Sequence, residues 1–366
     1  MPRVLFLANN AGGLYGFRAE FLAALVAKGY EVFFCVPDKL NSRSVERLRE
    51  LGCVYIHTPL NRRGINPLDD IRLVRLYRKV VEVITPDIIL SYTVKPNIYG
   101  SYVAARERIP IVMNVTGLGS SLHSGRLGFL VKWMYRYACR QASLVFFQNA
   151  ANRDWFLENR LVEPGKVRIV PGSGVDLEKF RPLSKTSHDD TVRFLFIGRI
   201  MRDKGIDEYL GAAEQIRRKY PRTEFQIVGS YEDEKYRTRI DDSDVVRYLG
   251  HSQNIREQIR EADCIVHPSY HEGMSNVLLE GAAMGKPLLA SNIPGCREIV
   301  DHGQNGFLFE PRSVKDLVEK LEMFLSLDKA KRMRMGSMSR EKVEREFDRN
   351  MVVKAYLQAV EETMEG

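Results

Sequence analysis

Short apolar runs alternate with longer amphipathic ones through the first half of the chain. VLFLA (4–8), EVFFCV (31–36), CVYIH (53–57), DIILS (87–91), IVMNV (111–115) and LVFFQ (144–148) are short and rich in β-branched or aromatic types. Runs that are apolar at successive positions predict strands covered on both faces of a sheet. The stretches 17–28, 44–51 and 69–84 between them carry helical spacing. Such alternation predicts a parallel, doubly wound sheet. The pattern pauses between Pro164 and Pro182, where VPGSGVDLEKFRP has the Gly and Pro density of a linker. It then restarts with VRFLFIG (192–198), EFQIVG (224–229), VVRYLG (245–250), CIVHP (264–268) and PLLAS (287–291). The expected architecture is α/β, with two doubly wound Rossmann-like domains over 1–175 and 176–349. An amphipathic segment at 350–366 is expected to pack back on the first. Ligands of such sheets bind at the C-terminal ends of the strands, so two facing domains would share one cleft.

Composition narrows the picture. The 366 residues are 44% hydrophobic and 28% charged, enough for two ordinary cores and unlike a disordered chain. The net charge of +8 is unevenly spread: residues 1–180 carry 25 Lys+Arg against 15 Asp+Glu, and 181–366 carry 30 against 32. Any anionic surface or substrate drawn by charge should therefore meet the first half. Cys35, Cys53, Cys139, Cys264 and Cys296 form no CxxC pair and read as small buried hydrophobes of a reducing compartment. The chain reaches an apolar strand at once, and no apolar run approaches the ~18 residues of a membrane span. The expectation is a cytoplasmic protein, or one attached to the membrane from the cytoplasmic side.

Candidate chemistry in the second half begins with GRIMRDKG (198–205). It sets Gly198, Arg199 and Lys204 between a strand end and a helix start, where backbone N–H groups and two cations suit a diphosphate. The alternative is a pair of solvated surface charges. HPSYHEGMSNVLLEGAAMGKPLLAS (267–291) then places Glu272 before a helix expected to start near Ser275 or Asn276, with Glu280 one to two turns in. Carboxylates suit paired hydroxyls because each oxygen accepts a separate bond. The alternative is a cap and an exposed helix glutamate. His267 and His271 are four apart, but Pro268 denies them the shared helical face that a metal site needs.

The first half offers three loops and two basic helices. In LANNAGGLYGFR (7–18), Gly12 and Gly13 would let the backbone approach a phosphate or sugar, but the GxGxxG of a dinucleotide site is missing. Arg18, one turn into the following helix, either contacts an acceptor phosphate or lies on the surface. Lys95 in SYTVKPNIYG (91–100) is a second candidate phosphate ligand, expected to be held extended by Pro96 at the strand end. NVTGLGSS (114–121) supplies Thr116. The stretches 126–141 and 70–84 mix cations with aromatic or aliphatic residues, as a helix on an anionic leaflet requires. A core-facing helix with a solvated basic face is the alternative. No nucleic-acid module is present.

The order GRxxxxKG, PSxxEGxxxxxxEGxAxGxPxxxS and GxxGxLxxP (GQNGFLFEP, 303–311) resembles the retaining glycosyltransferase family 4 of the GT-B fold. The match covers essentially the second half. The resemblance implies that Arg199 and Lys204 hold a donor diphosphate, that Glu272 contacts the donor sugar and that Glu280 contacts the ribose. It further implies that Gly273, Met274, Ser275, Asn276 and Val277 line sugar and phosphates, with Gly229, Leu249 and Gly250 near the nucleobase. Many members carry a histidine where this chain has Thr116, and the GLGS that follows resembles the subgroup that extends polyprenyl-diphosphate-linked saccharides. Gly12, Gly13, Arg18, Lys95 and Thr116 are the acceptor candidates. The implied activity is transfer of a hexose or N-acetylhexosamine from a nucleotide sugar, UDP-linked by that resemblance, without cofactor or metal. The alternatives are an epimerase or hydrolase of the same fold, and a silent nucleotide-sugar-binding protein.

Overall fold

The computed structural model describes residues 1–61, 64, 66–117, 125–187, 189–252 and 254–365. The chain divides into two compact units, one of Met1–Ser173 with Asn350–Gly366 and one of Gly174–Arg349. Helices begin where the sequence supplies caps: Asn10, Asn66, Asn149, Ser275, Ser313 and Asp328 each accept a first-turn N–H through the side chain.

In the first unit the strands are β1 (Arg3–Leu7), β2 (Glu31–Val36), β3 (Val54–His57), β4 (Ile88–Tyr92), β5 (Ile111–Val115), β6 (Leu144–Phe147) and β7 (Val167–Ile169). Its helices are α1 (Ala11–Ala27), α2 (Arg43–Glu50), α3 (Pro67–Ile84), α4 (Val94–Glu107), α5 (Gly125–Gln141) and α6 (Ala150–Glu158). All strand pairs are parallel, in the order β3-β2-β1-β4-β5-β6-β7. The order reverses between β1 and β4, so the loops after those two strands flank the crevice where such sheets bind ligands. β7 lies inside the stretch expected to be linker, where Arg168 splits its two apolar residues among nearby Gly and Pro.

The second unit contains β8 (Val192–Ile197), α7 (Ile206–Lys219), β9 (Thr223–Val228), α8 (Lys235–Asp241), β10 (Val246–Tyr248), α9 (Arg256–Glu261) and β11 (Cys264–His267). It continues with α10 (Asn276–Ala283), β12 (Leu288–Ser291), β13 (Gly306–Phe309), α11 (Val314–Ser326) and α12 (Lys329–Glu346). The sheet is again parallel, ordered β10-β9-β8-β11-β12-β13, and its reversal falls between β8 and β11. β13 lies in the GQNGFLFEP segment and was not among the expected strands. Two apolar layers clad each sheet.

The last helix, α13 (Arg349–Glu365), belongs to the first unit. Tyr356 lies fully inside that core, 5.2 Å from the Phe21 ring and 4.6 Å from the Phe146 ring.

Candidate functional site

The second unit brings its candidates together at the reversal point. The chain leaves β8 through Gly198 and Arg199 and makes a 3-10 turn at Arg202–Lys204. It bends through Gly205 (φ +72°) into α7. A side chain at Gly205 would place its Cβ 2.0 Å from the Pro268 carbonyl oxygen, so only glycine fits both the left-handed backbone and the contact. The Tyr270 N–H donates to the Asp203 carbonyl at 3.0 Å, and the Tyr270 hydroxyl reaches both carboxylate oxygens of Glu208 at 2.8 and 2.9 Å. The turn after β8 and the loop after β11 are thus locked against each other.

That lock sets the chemistry. Lys204 Nζ donates to Glu272 Oε1 at 2.5 Å, and His267 Nε2 lies 3.0 Å from the same oxygen. Glu272 is largely buried, which pushes its carboxyl upward. The bond and charge of His267, with the Lys204 ammonium, outweigh that and hold it at about 2. Ser275 caps α10 by accepting from the Leu278 N–H, so the helix starts where the sequence placed it, with Glu272 ahead of its N-terminus. Met274 and Ser275 are buried; Gly273, Asn276 and Val277 are half-buried.

Glu280, on α10, has a different setting. Burial raises its carboxyl to about 7, and Lys179 and Arg349 only partly offset the rise. Gly198, Gly229 and Gly250 meet at the tips of β8, β9 and β10. The Gly229 N–H donates to the Gly250 carbonyl at 3.0 Å, and a Cβ on Gly229 would fall 1.7 Å from the Gly198 oxygen. The Leu249 N–H bonds Ile227, and Tyr248 Oη donates to Gly229. Arg199 stands apart from the Lys204 cluster: its side chain is half exposed and lies 3.6 Å from Glu232.

In the first unit, two candidate loops flank the reversal between β1 and β4, with changes to the expected detail. Gly12 and Gly13 lie inside the first turn of α1. Asn10 accepts from the Gly13 N–H at 2.5 Å and Asp38 from the Ala11 N–H at 2.8 Å, so two of the helix's free donors are already used. Arg18 is not a surface residue. It is 4% exposed, between the rings of Tyr92 (5.2 Å) and Tyr356 (5.1 Å), with one guanidinium nitrogen on Tyr356 Oη. Lys95 is helical rather than extended. Thr93 absorbs the chain reversal at φ +75°, α4 begins at Val94, and Pro96 sits in the first turn, where a missing N–H costs nothing. Its ammonium pairs with Asp70 at 2.6 Å and borders a cavity of about 480 Å³ that His57, Leu60, Asp69 and Leu73 also line. Thr116 is half-buried just past β5, and residues 118–121 of the GLGSS loop lie outside the described residues.

His267, which meets Glu272 here, is not among the site residues expected from the sequence. It was weighed only with His271 as a metal pair, and the two diverge, His267 buried and His271 exposed. A signal was present: a polar ring closing the otherwise apolar CIVH strand, five residues before a glutamate.

Comparison with known proteins follows the same division. The family model of glycosyl transferases group 1 matches residues 180–342, and that of the glycosyl transferase 4-like domain matches residues 12–172. A Campylobacter jejuni N,N'-diacetylbacillosaminyl-diphospho-undecaprenol alpha-1,3-N-acetylgalactosaminyltransferase is 26% identical over 97% of this chain and 97% of its own length. An Escherichia coli UDP-Gal:alpha-D-GlcNAc-diphosphoundecaprenol alpha-1,3-galactosyltransferase is 27% identical over 71% of each. Among solved structures, a glycosyltransferase of Rickettsia africae superposes with a TM-score of 0.81 at 18% identity, covering 100% of this chain and 99% of its own. Anabaena HepE, solved with UDP and glucose, gives 0.79 at 19%, covering 99% and 100%. These likenesses place the fold in the GT-B class.

Proposed function

Because the chain belongs to the group 1 glycosyltransferases, with a glycosyl transferase 4-like domain ahead of the group 1 domain, we propose a specific transfer reaction for it. It moves a hexose or N-acetylhexosamine from a UDP-sugar to a saccharide carried on a polyprenyl diphosphate, with retention and without a divalent metal. The chain is a glycosyltransferase rather than an epimerase or hydrolase of the same fold. The donor and acceptor classes are supported by two relatives whose names specify diphospho-undecaprenol acceptors, one of them with a UDP-galactose donor. The observation that carries the residue-level reading is the meeting of Lys204 and Glu272 where the second sheet reverses.

In this reading Gly229, Leu249 and Gly250 form the nucleobase edge, Gly198 opens the diphosphate loop and Glu280 takes the ribose diol. Lys204 and Arg199 hold the diphosphate, while Glu272 and the backbone of Gly273 to Val277 hold the sugar. The acceptor hydroxyl attacks the anomeric carbon from the face the nucleotide leaves. The bond from that carbon to the diphosphate oxygen breaks with its electron pair, and the leaving diphosphate takes the hydroxyl proton. Charge grows on the diphosphate as the bond lengthens, so fixed cations there lower the barrier more than they stabilise the ground state. In the first unit, Gly12, Gly13, Lys95 and Thr116 serve the acceptor, and the cavity beside Lys95 offers room for its saccharide. Arg18 acts from inside, holding β4 and α13 in place.

The first unit also carries the membrane contact. Phe129, Leu130, Trp133 and Tyr137 are exposed on α5 next to Lys132, Arg136 and Arg140. Among the described residues no helix is long and apolar enough to cross a membrane. In this reading the chain works as a peripheral protein on the cytoplasmic face, where such acceptors would be reached.

The test is release of nucleoside diphosphate from a panel of nucleotide sugars, in the presence of a chelator, with and without a polyprenyl-diphosphate-linked sugar. Acceptor-dependent release from one UDP-sugar is the expected result. Release that needs a divalent ion would end the metal-independent reading. Release from a GDP- or ADP-sugar instead would end the UDP assignment.

A further inference from the structure

Glu272 needs a partner that does not leave when substrate arrives. Two groups converge on its Oε1, Lys204 and His267, and among the described residues none hydrogen-bonds Oε2. The two partners are anchored differently. Lys204 ends a flexible four-carbon stem on a 3-10 turn, and the reading above commits it to the donor diphosphate. His267 is the last residue of β11, 4% exposed, on a strand paired with β8 on one side and β12 on the other. Its ring cannot follow a ligand. Among the described residues its Nδ1 has no hydrogen-bond partner, and the Glu272 carboxylate is the polar group its ring meets.

We infer that His267 is the positioning residue of the donor-sugar site, fixing Glu272 through Oε1 so that Oε2 is left to accept from a sugar hydroxyl while Lys204 turns to the diphosphate. This rests on the proposed role of Glu272 as the sugar's ligand. Holding one oxygen with a strand-mounted donor removes the carboxylate's rotational freedom before the sugar binds, which is the usual benefit of a supporting residue behind a contact residue.

The inference separates sugar recognition from nucleotide recognition. His267→Phe keeps the ring's bulk and removes the donor; His267→Gln keeps an amide donor. Affinity is measured by calorimetry for UDP, UDP-N-acetylglucosamine and UDP-N-acetylgalactosamine on the full chain. His267→Phe is expected to lose about tenfold for whichever UDP-sugar the parent prefers, while UDP stays within about threefold. His267→Gln is expected to recover most of the loss. The same variants should raise the donor KM more than they lower kcat. Equal weakening of UDP and UDP-sugar would mark His267 as merely structural and overturn the inference, as would no change in either. Glu272→Gln is measured alongside. If it loses the sugar preference and His267→Phe does not, the positioning role fails while the proposed function stands. If Glu272→Gln itself spares the preference, the sugar-ligand reading fails and the inference falls with it.

Discussion

Glu272 and Glu280 sit on one loop and the helix it feeds, yet their surroundings push them apart. Glu272 is drawn down to about 2 by a histidine and a lysine on one oxygen, so it is ionised at every physiological pH. Glu280 is raised to about 7 by burial, so near neutrality it is shared between its acid and its carboxylate. A bound ribose diol would donate to the carboxylate form and pull that pKa back down. Binding of UDP at pH 6.5 should therefore release a fraction of a proton. Calorimetry in two buffers of different ionisation enthalpy would show it as a difference in apparent heat, which Glu280→Gln abolishes. Heats that are equal in both buffers would remove Glu280 from the ribose site. The same shift has a stability consequence of known sign. Because the folded pKa lies above the unfolded one, the contribution is full below about pH 4.5 and is lost as the pH rises through 7. The Glu280→Gln variant should lose that slope.

At the scale of elements, the site depends on two loops meeting, and Gly205 is where they touch. Its Cβ position overlaps a backbone oxygen of the other loop, so Gly205→Ala must move one of them. The expected cost is about 2 kcal/mol or more in urea unfolding, with donor affinity falling along with it, because Lys204 is displaced from Glu272. Unchanged stability would mean that the loops are not locked as described. How much of this was legible follows from the apolar run each element carries. β1 and β2 are readable from unbroken runs, as even the four-residue β6 and β11 are, and the α10 start follows from the turn ending at Ser275 and Asn276. β7 is split by Arg168 within a Gly- and Pro-dense stretch, and β13 follows directly on the polar GQN of its segment. The conformation of Lys95 was misread because proline usually blocks helix in the residue before it. Thr93 takes the strained backbone one step earlier, which no propensity indicates. Arg18 was open between ligand and surface, since nothing local in the sequence places Tyr92 and Tyr356, 264 positions apart, on its two sides. His267 was missed for a related reason: spacing suggested a pair with His271, whereas its partner is set by the loop's path.

At the scale of the whole molecule, charge and exposed apolar area coincide in the first unit. Residues 1–180 carry the excess of cations, and α5 leaves Phe129 77% and Trp133 62% exposed beside Lys132 and Arg136. Neither feature alone would argue for a membrane. Scattered exposed hydrophobics are ordinary, and a basic face is often just solvated. Together on one helix they satisfy both parts of interfacial binding, apolar insertion and attraction to anionic headgroups. The two contributions separate experimentally. Cosedimentation with vesicles containing phosphatidylglycerol should exceed that with phosphatidylcholine alone and should weaken as salt is raised, since screening acts on the electrostatic part. Phe129→Ala with Trp133→Ala should lower vesicle affinity by at least tenfold at any salt, because each ring contributes about 1.5–3 kcal/mol when buried in the interface. UDP binding by that double variant should be unchanged, since both residues lie in the unit that does not hold the donor candidates. If the parent bound neutral and anionic vesicles equally well, the cations would have no part in it. If the double variant bound as well as the parent, the surface would lie elsewhere, with α3 and its exposed Ile71 and Val83 the next to test.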